Sequence, residues 1–281
     1  MQEPAFLIVI LLCALALSAI ALAYYLKKLH LDTQLLGIQW LQALRFLLMH
    51  LQKHRGLTTS WLSGHPEVQE ELDELKQQIS SNIKSITQIG EWINQNQDWQ
   101  GVTQHWARLS GARDELAFAK CFSQHTKLIA SVLAMMDVVA DKHNISSTGK
   151  YSNEVSLWHE FLWVGELLGQ CRALGVRILG LRSHNEELQK HKKHVVKALR
   201  DIEDITEKTR FSNRLSREEM DSLQHFIEFI RHHLTESAGL ISAIEYFNQA
   251  SEAISLIYDC FDREMFSLHG KISANPQVSP S

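Results

Sequence analysis

The chain has 281 residues, 45% of them apolar and 21% charged, so it is of ordinary globular composition and long enough for a sizeable core. Its net charge of -4, with no basic patch, argues against nucleic acid as a partner. With only 4 prolines and 13 glycines, and leucines recurring at helical spacing almost throughout, it reads as all-α. The expected architecture is an N-terminal transmembrane helix followed by two packed antiparallel helical bundles of about four helices each.

Taken in chain order, Phe6 to Leu26 is uncharged and at about 1.5 Å per residue spans about 30 Å of hydrocarbon. A cleaved signal peptide is the competing reading, since Ala21-Leu22-Ala23 offers a small-x-small site. Against it, the leading segment carries Glu3 and no basic residue. Tyr24 and Tyr25 fit an aromatic belt, and Lys27 and Lys28 place the following domain in the cytoplasm by the positive-inside tendency. The predicted location is therefore the inner (cell) membrane, single-pass. Helical periodicity continues from Leu31 to Leu62, so one long helix joins the anchor to the first bundle. Gly64 and Pro66 read as a stop and a restart, with a second helix running to about Asn96. A shorter segment follows over Trp99 to Leu109, then a long helix from Ala112 to about His143.

The polar stretch Asn144 to Asn153 is the expected midline linker. Beyond it, helices are predicted over Glu154 to Leu181 and Glu186 to Lys208. Ser216 to Glu219 has the pattern of a capping box opening another, and Ser237 to His269 forms the last. The expected divisions are an anchor over 1–30, bundles over 31–145 and 152–270, and a disordered tail over 271–281.

Two segments carry an isolated arginine on an apolar face. In Met49 to Gly64, Arg55 shares a stripe with Leu51, Thr58, Thr59 and Leu62, with Gly56 and Ser63 leaving room. In Glu166 to Leu181, Arg172 shares one with Leu168, Val176 and Leu179, beside Gly169, Ala173 and Gly175. Superposing the two arginines also aligns Leu51 with Leu168, Leu57 with Leu174 and Leu62 with Leu179, which supports a divergent duplication, although leucine matches come cheaply in helical sequences. An inward guanidinium needs a carboxylate, carbonyls or a bound anion, because an unpaired buried charge costs several kcal/mol as a rough figure. These segments therefore read as a small-anion pocket. The plain alternative is an arginine that snorkels or pairs with a glutamate of a neighbouring helix. Arg231, on a stripe with Ile227, Leu234 and Ala238, is a third candidate contact, with a salt bridge at a bundle edge as its plain alternative.

The run LQKHRGL, containing Arg55, resembles the LQ-x-x-RG-L signature that opens the nitrate- and nitrite-sensing (NIT) domain, and LGQCRALG is similar to that family's second arginine segment. The resemblance covers roughly residues 34 to 270. It implies an all-helical domain of two bundles that recognises nitrate or nitrite through arginines, here Arg55 and Arg172. One departure stands out. Where the family carries an acidic residue before the first arginine, this chain has His54, and Cys171 precedes Arg172.

Other chemistries find little support. His50 and His54 are four apart but lack the glutamate of an H-E-x-x-H helix, and Cys13, Cys121, Cys171 and Cys260 are scattered singly, so neither a metal nor a disulfide framework is expected. Trp158 and Trp163 read as core or membrane-proximal packing. No nucleophile elbow, P-loop or dinucleotide fingerprint is present, so an enzyme is not expected and no cofactor is implied. The expected function is a membrane-anchored sensor: Arg55 and Arg172 bind a planar anion with help from Thr58 or Thr59, and the signal passes to a separate signalling protein, with a homodimer left open. The other reading is a membrane-tethered helical scaffold whose arginines are structural.

Overall fold

The computed structural model describes residues 3–111, 117–145, 152–181, 186–236 and 241–274. The first helix, α1, runs unbroken from Glu3 to Leu62. Its N-terminal half projects beyond the bundles with Leu11, Leu15, Leu17, Ile20 and Leu22 exposed, a helix long and apolar enough to cross a membrane. Its C-terminal half is the opposite case. Leu41, Leu44, Leu48 and Leu51 are fully covered, and His54 to Ser60 are buried on every face. A stretch buried on every face, polar residues included, is enclosed by other helices. The enclosing helices are α2 (Gln69–Ile89), α3 (Glu91–Gln95), α4 (Gln97–Gly111) and α5 (Phe118–Lys142) on one side.

On the other side stand α6 (Ser152–Gly180), α7 (Glu186–Thr206), α8 (Thr209–Ser212), α9 (Arg217–Ile230) and α10 (Ala243–Ala274). Here α6 is the enclosed helix, buried from Val164 to Val176 and packed on α7, α10 and α1. The buried apolar side chains of both bundles form one continuous cluster. Trp158 lies within it, whereas Trp163 is partly exposed.

Helix ends follow local chemistry. Gly64, at φ 97°, terminates α1 in a Schellman motif: the amide of His65 donates to Ser60 O at 3.2 Å and that of Gly64 to Trp61 O at 3.1 Å. Pro66 then opens a single 3₁₀ turn. The predicted helix to Asn96 is broken at Gly90, which is extended. A Cβ there would sit 3.2 Å from the Trp40 ring, whose Nε1 donates to Ile86 O near the end of α2. The expected capping box is present, with Ser216 Oγ accepting from the Glu219 amide and the Glu219 carboxylate accepting from the Ser216 amide. The last helix starts later than predicted. A π-helical turn occupies Arg231–Glu236, and α10 begins at Ala243 with the Ser242 hydroxyl accepting from the Glu245 amide.

Two further boundaries shift. Ala117 is extended, so α5 begins at Phe118, while the expected start at Ala112 lies outside the described residues. Helix α10 continues through Lys271–Ala274, the first residues of the expected tail, and the remainder of that tail and most of the expected linker also lie outside the described residues.

Candidate anion site between the two enclosed helices

The segments that enclose Arg55 and Arg172 meet where α1 crosses α6. Each guanidinium occupies a hollow left by a glycine of the other helix. A Cβ on Gly169 of α6 would come within 2.9 Å of Arg55 Nη2, and one on Gly56 of α1 within 3.1 Å of Arg172 Nε. Both side chains are buried, Arg55 at 1% exposure and Arg172 at 3%. Each guanidinium also lies over an aromatic ring, Arg55 over Phe122 at 5.4 Å and Arg172 over Phe247 at 4.9 Å.

Their partners differ. Arg55 donates from Nη1 to Glu166 Oε1 at 2.7 Å and from Nη2 to Glu166 Oε2 at 3.1 Å, a bidentate pair, with Nη1 also reaching Thr126 Oγ1 at 3.1 Å. The same carboxylate accepts from Gln52 Nε2 at 2.9 Å and Gln170 Nε2 at 2.8 Å. Tyr258 of α10 donates to Gln52 Oε1 at 2.8 Å, and burial, reinforced by the nearby Glu166 carboxylate, pushes its phenol pKa up. Glu166 is thus the hub that ties α1, α6 and α10 together.

Arg172 has no carboxylate. Its Nη1 donates to Ser251 Oγ at 2.9 Å, and Nε and Nη2, both buried, have no hydrogen-bond partner among the described residues. Burial first, and then the neighbouring Arg55 charge, lower its pKa to about 10. Above Arg172 lies a cleft of about 260 Å³ that also takes in Ser251 and Tyr258. The buried trio Arg55, Glu166 and Arg172 carries two positive charges and one negative, and the uncompensated charge is on the arginine that faces the cleft.

The remaining candidates are differently placed. The Thr58 hydroxyl donates to His54 O at 2.7 Å and the Thr59 hydroxyl to Arg55 O at 2.9 Å, so both protons are used within α1. Arg231 pairs with Glu203 Oε1 at 2.5 Å, with its side chain 42% exposed, the bundle-edge bridge named as its plain alternative. His54, where the family has its acid, turns instead toward His125, with Nδ1 and Nε2 2.8 Å apart, while His125 Nδ1 lies 2.9 Å from Cys121 O. His50 Nδ1 meets Asn82 Oδ1. Among the described residues no group of three or more His, Cys, Asp or Glu side chains stands ready for a metal.

Sequence reading alone missed Glu166, Gln52 and Ser251. For Glu166 a signal existed: within Phe161 to Val176, Glu166 and Arg172 are the only charged residues, and a lone carboxylate in such a run needs a buried partner.

No curated protein sequence matches the chain. Among solved structures the fold resembles one titled "Structure of the NasR transcription antiterminator", with a TM-score of 0.63, 15% identity, and coverage of 94% of this chain and 76% of that one. The family model described as nitrate and nitrite sensing matches residues 47–260, a span that holds Arg55, Glu166, Arg172 and Ser251 alike. The chain therefore belongs to the nitrate- and nitrite-sensing (NIT) family.

Proposed function

We propose that the protein is a membrane-tethered sensor that takes up one nitrate or nitrite ion at Arg172. The observation that carries this reading is the buried guanidinium of Arg172, a residue that lines a cleft, whose Nε and Nη2 lack hydrogen-bond partners among the described residues. Those two N–H edges, in one plane, match two oxygens of a planar anion, and a monovalent anion neutralises the trio that Arg55, Glu166 and Arg172 leave at +1. Arg55 acts through its field and through its grip on Glu166, which holds α6 in place. Arg172 lies against Gly56 of α1, so a guanidinium drawn toward an anion shifts contacts on the helix that continues into the apolar anchor. The two lysines after the anchor favour a cytoplasmic domain, and a separate protein reads the change.

The test is thermal unfolding of the full chain in detergent with sodium nitrate, sodium nitrite or sodium chloride at matched ionic strength. Binding to the native state alone stabilises by about 2.7 kcal/mol at a hundredfold excess over Kd. The expected outcome is a saturable rise in Tm with nitrate or nitrite that Arg172→Ala abolishes. If both anions behave as chloride does at every concentration, the scaffold reading takes its place.

A further inference from the structure

The wall of the Arg172 cleft includes a second cation that neither the resemblance nor the fold assigns to the ligand. Lys53 of α1 lines it one helical turn from His50. The Lys53 side chain is 41% exposed, so it stands nearer solvent than the enclosed Arg172. Its ammonium pairs with Glu71 Oε1 of α2 at 2.7 Å, and Glu71 is itself 47% exposed. An ion pair this open contributes about 0–1 kcal/mol to stability, so neither bundle depends on it. His50, the other basic side chain beside Lys53 in the cleft wall, is tied to Asn82, and burial lowers its pKa from the usual value, keeping it neutral near pH 7. Lys53, a compact charge on a flexible stem, is therefore the cation here that can change partner at little cost.

We propose that Lys53 is an entry contact for the anion and that Glu71 competes with the anion for it. This rests on the reading that the Arg172 cleft holds the ligand. In the empty protein Glu71 engages the ammonium. When an anion enters, Lys53 exchanges the carboxylate for it, so the bound ion is met by Arg172 from below and by Lys53 from the mouth. Glu71 thereby sets the affinity: it imposes a competition that a bound anion has to overcome, and it repels anions approaching the cleft.

The prediction distinguishes this role from an inert surface bridge because two substitutions that break the same ion pair should act in opposite directions. Titration calorimetry of the full chain in detergent with sodium nitrate is the readout, with the Tm of the ligand-free protein measured alongside. Lys53→Met is expected to weaken nitrate binding by about threefold to tenfold, and Glu71→Gln to strengthen it by about threefold, with ligand-free Tm close to wild type in both. Raising ionic strength should narrow the gap between the two variants. If both variants weaken binding, or both bind as wild type does while Arg172→Ala fails to bind, the exchange at Lys53 is overturned and the Arg172 site stands. If the wild-type protein takes up no nitrate, the parent reading falls and this one with it.

Discussion

Arg55 and Arg172 carry the same charge in similar segments, yet one has a counter-ion and the other does not, and the difference is a single carboxylate. Glu166 faces Arg55 and accepts both of its terminal nitrogens, which leaves Arg172 with a serine hydroxyl and two idle N–H groups. A residue-scale consequence concerns His125, fully enclosed beside this site. Burial, first among the causes, lowers its pKa from 6.5 to about 4. In the unfolded chain it takes up a proton as the pH falls through 6.5, while in the folded protein it stays neutral down to about 4. The unfolded state therefore binds more protons across that window, and stability falls with falling pH by roughly 1.4 kcal/mol per unit, about 3 kcal/mol in all. Urea unfolding between pH 7 and pH 4.5 should show this loss, and His125→Gln should flatten it. The two arginines were legible from their apolar stripes. Which of them would be left without a counter-ion was not, because Glu166 is 111 positions from Arg55 and its partner is chosen by helix packing.

At the scale of the helix, the crossing of α1 and α6 depends on side chains that are absent. Gly56 and Gly169 let each helix accept the other's arginine, and Gly175 meets Tyr246 so closely that a Cβ would fall 2.2 Å from its ring. In an ordinary helix interior, alanine in place of glycine stabilises by about 1 kcal/mol. At Gly56 a methyl would stand 2.9 Å from Phe247 Cε2 and 3.1 Å from Arg172 Nε, and both would have to yield. Gly56→Ala is expected to lower stability by about 1–2 kcal/mol and nitrate affinity by about tenfold. Gly101→Ala, in α4 with nothing within 4 Å of the added Cβ, should instead be neutral or stabilising. Thermal unfolding of the pair, each with and without nitrate, checks both. The glycines beside the arginines were visible in the sequence as room around a charge. Their reciprocal use emerges only from the crossing.

For the whole molecule, the site is a charge balance shared among helices of both bundles. Glu166→Gln keeps the shape, but its single amide oxygen can accept only two of the four hydrogen bonds that Arg55, Gln52 and Gln170 donate, its NH2 faces donors, and two buried guanidiniums are left without a carboxylate. The ligand-free protein should lose about 3 kcal/mol or more, since removing one partner of a buried pair leaves its charge uncompensated. Nitrate should then raise the Tm by more than it does in wild type, because each added anion relieves a larger excess of positive charge. A Glu166→Gln protein as stable as wild type, with an unchanged nitrate response, would show that the balance does not govern binding. Of this cluster Arg55 sits on α1, the helix that runs on into the apolar N-terminal segment, and Glu166 and Arg172 sit on α6, which crosses it.

Several features were determined by the sequence alone because they depend on neighbours in the chain. The uncharged run at the N-terminus, the all-helical fold, the stop at Gly64, the capping box at Ser216 and the inward stripes of Arg55 and Arg172 all follow from spacing and local backbone chemistry. Tertiary structure decided what lies across space: that α1 and α6 are the enclosed helices, that Glu166 neutralises Arg55 and not Arg172, that the Thr58 and Thr59 hydroxyls turn to their own backbone, and that Lys53 meets Glu71 at the cleft. The reason is physical. Helix propensity, caps and amphipathic period are set within a few turns of chain, whereas the partner of a buried charge is chosen by which helices cross and at what register, and only the packed bundles specify that.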